Sequence, residues 1–316
     1  MNTHRTRLLT AIALTSLAGW VVTLLATTVF MGYAFGLFVW LPMAMGAVST
    51  LLIGRHNPAD KTSQRIGAFG TLVVYCVGLI IYAFEGAMCI IMASPAGIIF
   101  TWIGYAIGAN IIKIKTTVSP PTALGILLLG VPSMMGIEHA TEGATARRAV
   151  VTSVEIHAAP ETVWQNVVAF PQLEEPTELL FKAGIAYPIS AQIDGNGVGA
   201  IRHCNFSTGS FIEPITVWDE PRLLRFDVLN QPEPMKELSP YDIRPNHLHG
   251  YFVSKQGQFR LVKLPNGNTL LEGTTWYENR IKPDFYWNLW SDEIIHRIHR
   301  RVLEHIKQQA ESTSPL

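Results

Sequence analysis

The chain has 316 residues, which is long enough for two domains, and its formal net charge is zero. This neutrality gives no electrostatic basis for binding nucleic acid, so we expect no nucleic-acid partner. Charged residues make up 15% of the sequence, against about 25% in an average soluble protein, and they are scarce between Leu8 and Ile112. The cysteines Cys76, Cys89 and Cys204 are too few and too scattered for a disulfide framework.

The first part of the chain contains apolar runs that match the roughly 20 residues needed to cross a bilayer. Four runs are long enough: Leu8–Phe30, Gly32–Ile53, Ile66–Ala93 and Pro95–Ile112. A fifth run, Thr122–Ile137, is shorter and contains Pro132, so it either spans or lies against the membrane as a half-helix. We favour five spans over four, although Arg147 and Arg148 after the fifth run would then have to cross the membrane.

Basic residues predict the orientation of these spans, because loops rich in Lys and Arg stay in the cytoplasm. The basic positions all fall on one side of the predicted membrane: Arg5, Arg7, Arg55, Lys61, Arg65, Lys113 and Lys115. The chain is therefore expected to be an integral membrane protein with a cytoplasmic N-terminus. Five spans place the second half of the chain outside the cytoplasm, and four keep it inside.

Small residues recur at helical spacing in the apolar runs, as Gly32-x-x-x-Gly36 and Gly104-x-x-x-Gly108. This spacing lets helices approach closely. Packing within the chain is the simpler interpretation, and a homo-oligomer formed through these helices is the other.

Glu85 is the conspicuous polar residue of the third run, where a carboxylate is costly unless it faces other helices or water. It is either a proton or ligand site or a partner in an interhelical hydrogen bond, for which Asn110 is the candidate. Cys89 lies four residues further on and shares its helical face. No histidine is near in sequence, so we predict no metal ion and no cofactor here.

The second half of the chain has the composition of a soluble domain. Val151–His157 alternates like a strand, Pro160 suits the first turn of a helix, and a second short helix is predicted over Pro171–Phe181. The strands that follow are predicted at Ile185–Ile193, Gly199–Phe206, Phe211–Trp218, Leu223–Leu229, Leu248–Leu264 and Thr269–Asn279, with a break near Lys255 left open. A long helix, Asp284–Ala310, closes the chain after Pro283.

This order of elements resembles the SRPBCC superfamily, the helix-grip proteins that include START lipid-transfer domains and polyketide cyclases. The resemblance covers residues 150–316 and rests on SVEIHAAPETVWQNV, VWDEPRLLRFDV and the terminal helix. It implies a curved antiparallel sheet around the long helix, with a cavity for a hydrophobic ligand. The predicted fold is thus an α-helical transmembrane bundle (1–140), a linker (141–149) and an α+β helix-grip domain.

Alternation in two adjacent strands predicts the lining of that cavity. Arg202 lies on the same strand face as Cys204 and Phe206, and Glu213 shares its face with Phe211 and Ile215. A turn at Thr208-Gly209 would set Arg202 diagonal to Glu213, within reach of a long side chain. The pair either orients the polar head of a ligand or only braces the sheet.

Further candidate ligand contacts come from the terminal helix and from a polar cluster before it. The helix presents Trp287, Ser291, Ile294 and Ile298 within one apolar stripe. His247, His249 and Tyr251 point to one side if PNHLHGYF is a regular strand, and Trp276 adds aromatic surface. The histidines of the helix do not converge on one metal. The proline-rich segment before PNHLHGYF is long enough for a lid.

These patterns predict a membrane-anchored domain that binds a hydrophobic small molecule or lipid. The alternatives are a cyclase- or hydrolase-type enzyme acting on a hydrophobic substrate, and a ligand-responsive membrane sensor. The sequence contains no Gly-x-Ser-x-Gly, no HExxH and no phosphate-binding loop, so it assigns no catalytic residue.

Overall fold

The computed structural model describes residues 3–30, 32–114, 118–141 and 143–313. The chain forms two compact units. The helical unit comprises Met1–Ala144, Glu237–His247 and Ile281–Tyr286, and the sheet unit comprises Thr145–Lys236, Leu248–Arg280 and Trp287–Leu316. The chain therefore returns twice to the helical unit, through two short segments that sequence patterns assign to the second domain.

The described residues of the helical unit form five long helical stretches. Their bounds are α1 Thr3–Thr28, a π-helical turn Gly36–Trp40 that continues as α2 Leu41–Gly54, α3 Lys61–Ile81, α4 Ala87–Lys113, and α5 Pro120–Gly125 followed by a π-helical turn Ile126–Gly130 and α6 Val131–Ala140. Helix starts follow local chemistry, since the Asp60 carboxylate accepts from Ser63 N at 2.9 Å and Pro120 opens α5. All five stretches are long and apolar enough to cross a membrane.

The third predicted run is wrong in its bounds. Helix α3 ends at Ile81 and α4 begins at Ala87, so Glu85 lies in the connection between two helices and not inside a span. Ala83 adopts φ 58°, and Phe84 N and Glu85 N both donate to Leu79 O, which closes α3. Hydropathy misses this turn because its residues are as apolar as the helices that it joins. Pro95, predicted to start the next helix, lies inside α4.

Both glycine motifs contain a residue that closely approaches another helix. A Cβ atom at Gly104 would lie 1.9 Å from Met43 O, and one at Gly46 would lie 2.4 Å from Thr101 O. The backbones of α2 and α4 therefore touch, as small residues permit in membrane helices. In the other motif, a Cβ atom at Gly36 would lie 2.2 Å from Met135 Cγ of α6, whereas one at Gly32 would meet only Phe30 O at 3.6 Å among the described residues.

The sheet unit contains one antiparallel sheet with the order β1-β7-β6-β5-β4-β3-β2. The strands are β1 Arg147–Ile156, β2 Pro188–Asp194, β3 Ile201–Phe206, β4 Gly209–Asp219, β5 Leu223–Asp227, β6 Phe252–Lys263 and β7 Thr269–Asn279. Two short helices, α7 Pro160–Val168 and α8 Leu179–Lys182, follow β1, and the chain ends with α9 Asp284–Thr313.

The core of this unit lies where α9 and α7 pack on the sheet. Leu303 and Ile306 of α9 are buried together with Trp164 of α7 and with Leu224 and Leu271 of the sheet. A long helix held by an antiparallel sheet is the predicted helix-grip architecture, so the predicted fold class is confirmed. The apolar stripe of α9 positions the helix because only that face can be buried without desolvating charges.

Most strand bounds differ from the predictions by a few residues, and in two places the structure forms a different element from the predicted one. Most of Pro171–Phe181 is extended, because Leu173 N donates to Ile189 O at 2.7 Å and pairing with the sheet outweighs helix formation. Strand β6 starts at Phe252 and not at Leu248, since Asn246–Leu248 forms a 3-10 turn. Near Lys255 the strand is not broken but bulged, with a register shift between Ser254 and Gln256.

Candidate functional site

A cavity of about 140 Å³ lies between the sheet and α9 within the sheet unit. Its walls come from strands β2 to β7, from the segment 231–234 and from one face of α9. The predicted residues among its lining are Arg202, Cys204, Phe206, Phe211, Glu213, Ile294 and Ile298. Apart from the Arg202–Glu213 pair, the wall is mostly apolar or aromatic, so the cavity suits a hydrophobic guest with a small polar group.

Arg202 and Glu213 are directly opposite each other across β3 and β4, not diagonal as the predicted turn required. The turn occupies Ser207 and Thr208, and Phe206 pairs with Gly209. This two-residue connection shifts β4 relative to the prediction but keeps both side chains on the cavity face. Arg202 Nη1 donates to Glu213 Oε2, with the two residues only 2% and 5% exposed.

Aromatic rings surround the Arg202 guanidinium, which lies 5.2 Å from the Phe226 ring centroid, 5.6 Å from that of Phe259 and 5.7 Å from that of Phe170. Such contacts stabilise a desolvated cation. Burial alone would lower the pKa of Arg202, but the adjacent Glu213 carboxylate raises it above its ordinary value. Burial likewise raises the pKa of Glu213, against the opposing effect of Arg202. The pair places a fixed dipole in an apolar wall.

The buried Cys204 and His299 line the cavity as neutral species. Burial raises the pKa of the Cys204 thiol to about 12. Burial, assisted by His296, lowers the pKa of His299 to about 4. His299 Nδ1 lies 3.0 Å from Thr152 Oγ1, and its Nε2 lies 2.8 Å from Thr275 Oγ1, so neutral imidazole uses both nitrogens.

Lowering the pH from 6.5 to 5 should destabilise the sheet unit by about 1.5 kcal/mol through His299. The unfolded chain binds a proton at His299 in this range and the folded chain does not, so the free energy of unfolding falls as pH falls. Thermal unfolding of the full chain in detergent at both pH values measures the effect. His299→Gln should flatten the pH dependence, and His157→Gln, at an exposed histidine, should not. An unchanged slope in His299→Gln would contradict the assignment.

Several predicted contacts do not line the cavity. Ile215 is buried in the core, Trp287 is buried but does not line the cavity, and Ser291 Oγ accepts a hydrogen bond from Asn279 Nδ2 at 3.2 Å. Trp276 lies 5.9 Å from the Arg225 guanidinium, and Tyr251 precedes β6. These residues were predicted from strand alternation or from their angle around the helix. Neither pattern shows how far the cavity extends along a strand or helix.

The histidine cluster is divided between different surroundings. His247 belongs to the helical unit and is 6% exposed, whereas His249 is exposed, with its Nε2 3.8 Å from Glu233 Oε1. The prediction that His247, His249 and Tyr251 share one strand side is wrong because no strand forms there. Glu85 Oε2 lies 3.5 Å from His247 Nδ1. Asn110 is exposed and accepts from Lys113 Nζ, so it is not the partner of Glu85.

Phe226, Phe259 and His299 line the cavity but were not predicted to do so. The phenylalanines could have been found from alternation in β5 and β6, because each lies on the same face as its inward neighbours. His299 sits at the edge of the apolar stripe of α9. The predicted lid is divided, since Gln231 and Pro234 line the cavity while residues 237–247 belong to the helical unit.

No family model and no curated protein matches the chain. Among solved structures, truncated norcoclaurine synthase from Thalictrum flavum shares 13% identity and a TM-score of 0.36, over 55% of this chain and 99% of that one. A structural-genomics protein from Nitrosospira multiformis shares 18% identity and a TM-score of 0.33, over 51% of this chain and 95% of that one. The Aha1 dimer from Colwellia psychrerythraea shares 15% identity and a TM-score of 0.31, over 53% and 99%.

TM-scores and identities this low carry no argument about ligand or activity. The helix-grip class rests on the sheet order and on the packing of α9 in the sheet unit itself.

Proposed function

We propose that the sheet unit binds a small hydrophobic molecule or a lipid segment bearing a hydrogen-bond acceptor, and that the helical unit anchors it in a membrane. The acceptor is held by Arg202, and the apolar remainder lies against the aromatic wall of the cavity. Glu213 keeps the guanidinium in place when the ligand leaves. Proximity supports this arrangement, because an anchored cavity meets molecules that already partition into the bilayer.

The single observation that carries the proposal is the state of the Arg202 side chain. Its Nε is buried without a hydrogen-bond partner within the described residues, although the guanidinium borders the cavity. An unsatisfied buried donor costs on the order of 1–3 kcal/mol. A carbonyl, carboxyl or hydroxyl oxygen in the cavity would remove that cost, so binding such a group is favoured over binding a pure hydrocarbon.

The size of the cavity limits what it encloses. Its volume of about 140 Å³ is close to that of an apolar cavity of roughly 150 Å³ that binds benzene in another protein. One ring or a short acyl segment fits the enclosed part. A longer molecule would have to extend beyond the enclosed cavity.

The proposed topology has five spans, a cytoplasmic N-terminus and the sheet unit on the opposite side. It is supported by the five long apolar helices and the basic residues between them. Suppose that a reporter which functions only in the cytoplasm is fused to the C-terminus. Activity of that reporter would rule out the five-span topology.

Mass spectrometry of molecules extracted from the purified full-length protein tests the binding proposal. The wild type should carry a hydrophobic molecule, and Ile298→Trp, which fills the cavity, should lose it. The double variant Arg202→Met/Glu213→Leu should fold yet lose molecules with a polar head. The matched control is Arg260→Met/Glu272→Leu, which removes an exposed ion pair between β6 and β7. This variant should retain the bound molecules. Identical extracts from all four proteins would refute binding in this cavity.

A further inference from the structure

Four side chains with metal-binding atoms converge in the helical unit. Glu85 comes from the α3–α4 connection, Cys89 from the first turn of α4, and Glu237 and His247 from the two ends of the 237–247 segment. One ligand atom from each residue lies within 4.8 Å of one from every other. Residues 158 positions apart thus meet, with Cys89 Sγ 3.0 Å from His247 Nε2.

Backbone contacts hold this cluster together. Ala87 N donates to Leu238 O at 2.8 Å, which fixes the start of the 237–247 segment against the first turn of α4. Asn246 Nδ2 donates to Thr27 O at 3.2 Å and fixes its other end. The Tyr33 ring lies 4.9 Å from the His247 ring. The four side chains are therefore positioned by the fold and are not a chance meeting of mobile surface groups.

Unsatisfied polar atoms point into the cluster. His247 Nδ1, Glu85 Oε2 and Glu237 Oε2 are buried and lack hydrogen-bond partners in the part of the chain that the structure describes. The Glu237 side chain is fully buried and that of His247 is 7% exposed. Buried polar atoms are almost always satisfied. His247 Nδ1 and Glu85 Oε2 are 3.5 Å apart and can pair with each other, so Glu237 Oε2 is the atom that still requires a partner.

The charges of the cluster are also unbalanced. Two carboxylates and a thiol lie side by side, and among the described residues His247 is the only basic side chain at ion-pair distance from either carboxylate. Burying like charges together is costly unless a cation neutralises them. A divalent metal ion would compensate this charge and would also favour the thiolate form of Cys89.

We propose that Cys89, Glu237 and His247 bind a divalent metal ion, with Zn²⁺ the best match, and that Glu85 positions His247. Sulfur, nitrogen and oxygen donors together are typical of zinc, whereas Mg²⁺ and Ca²⁺ take oxygen ligands. Zinc bonds of about 2.0–2.3 Å in a tetrahedron place ligand atoms about 3.3–3.8 Å apart. His247 Nε2 lies 3.0 Å from Cys89 Sγ and 3.8 Å from Glu237 Oε1, near these separations. Cys89 Sγ lies only 2.5 Å from Glu237 Oε1, to which the thiol donates a hydrogen bond, so binding the ion would replace this bond and move the two atoms apart.

Glu85 contacts His247 and is not itself a proposed metal ligand. Its Oε2 lies 3.5 Å from His247 Nδ1, on the ring side opposite the proposed metal. A carboxylate that accepts from the second ring nitrogen fixes the tautomer and orientation of a metal-binding histidine. Three protein ligands leave the fourth tetrahedral position to water or another molecule.

Metal titration of the full-length protein in detergent tests this assignment. After chelator treatment, Zn²⁺ should bind with one ion per chain and raise the thermal unfolding midpoint. Co²⁺ in its place should give a thiolate-to-cobalt charge-transfer absorption, which reports Cys89 directly. No such absorption in the wild type would overturn the proposal.

Variants separate the roles. Cys89→Ser should abolish the charge-transfer absorption, and His247→Ala should prevent stoichiometric binding. Glu85→Gln should retain one ion per chain with affinity lowered about 10–100-fold. Cys76→Ser and His249→Ala are matched controls in the same protein and should bind as the wild type does. Unchanged binding by Cys89→Ser, or equal loss in either control, would overturn the assignment without bearing on the sheet-unit cavity.

Discussion

Removing either member of the buried Arg202–Glu213 pair should destabilise the sheet unit by about 3–5 kcal/mol, because the remaining charge is left buried without its partner. Arg202→Met and Glu213→Leu are the single changes. The double variant Arg202→Met/Glu213→Leu should cost less than either one, since no buried charge remains and the added apolar groups suit the surrounding rings. Hydrogen exchange of the β3 and β4 amides in the full-length protein measures the three free energies.

The exposed pair Arg260 and Glu272 provides the scale for comparison, since solvent screening limits such pairs to about 0–1 kcal/mol. The two single changes should also differ in their pH dependence. A stranded Glu213 can take up a proton because burial raises its pKa, so Arg202→Met should become less unstable as pH falls. A buried Arg202 without Glu213 cannot lose its charge in this way. Single variants as stable as those of the exposed pair would contradict the burial argument.

Local patterns predicted the elements that depend on periodicity. Alternation placed Arg202 and Glu213 on one face correctly, because a strand has only two faces and their neighbours are apolar. The angular stripe of α9 predicted the helix that fills the sheet, with Ile294 and Ile298 in the cavity wall. The cross-strand register was missed because it depends on which two residues form the turn, and Gly209 joins the strand instead.

The cluster of Glu85, Cys89, Glu237 and His247 could not be predicted from the sequence. Its members have no fixed spacing, and two of them come from a proline-rich segment that looks like a surface loop. The absence of a metal was expected because no histidine is near Cys89 along the chain. Tertiary packing brings His247 to Cys89, because the backbone hydrogen bond from Ala87 N to Leu238 O holds the distant segment against the first turn of α4.

Gly104→Ala should destabilise the helical unit by on the order of 3 kcal/mol, although alanine is normally the better helix former. The new Cβ atom would lie 1.9 Å from Met43 O and 3.0 Å from Ala47 N, which are backbone atoms of α2 that no side-chain rotation can move. Helices α2 and α4 would have to separate and lose the close contact that packs them. Thermal loss of the folded peak in size-exclusion chromatography, in detergent, measures the change.

Gly97→Ala in the same helix is the matched control. A Cβ atom there would lie 3.7 Å from Leu72 Cδ1, an ordinary contact, so the substitution should be neutral or stabilise the protein by about 0.5–1 kcal/mol. The same chemical change is thus expected to act in opposite directions at two positions seven residues apart, because only Gly104 faces a neighbouring backbone. If Gly104→Ala proves as stable as Gly97→Ala, α2 and α4 do not pack through this glycine, and the small-residue spacing of α4 has no structural role.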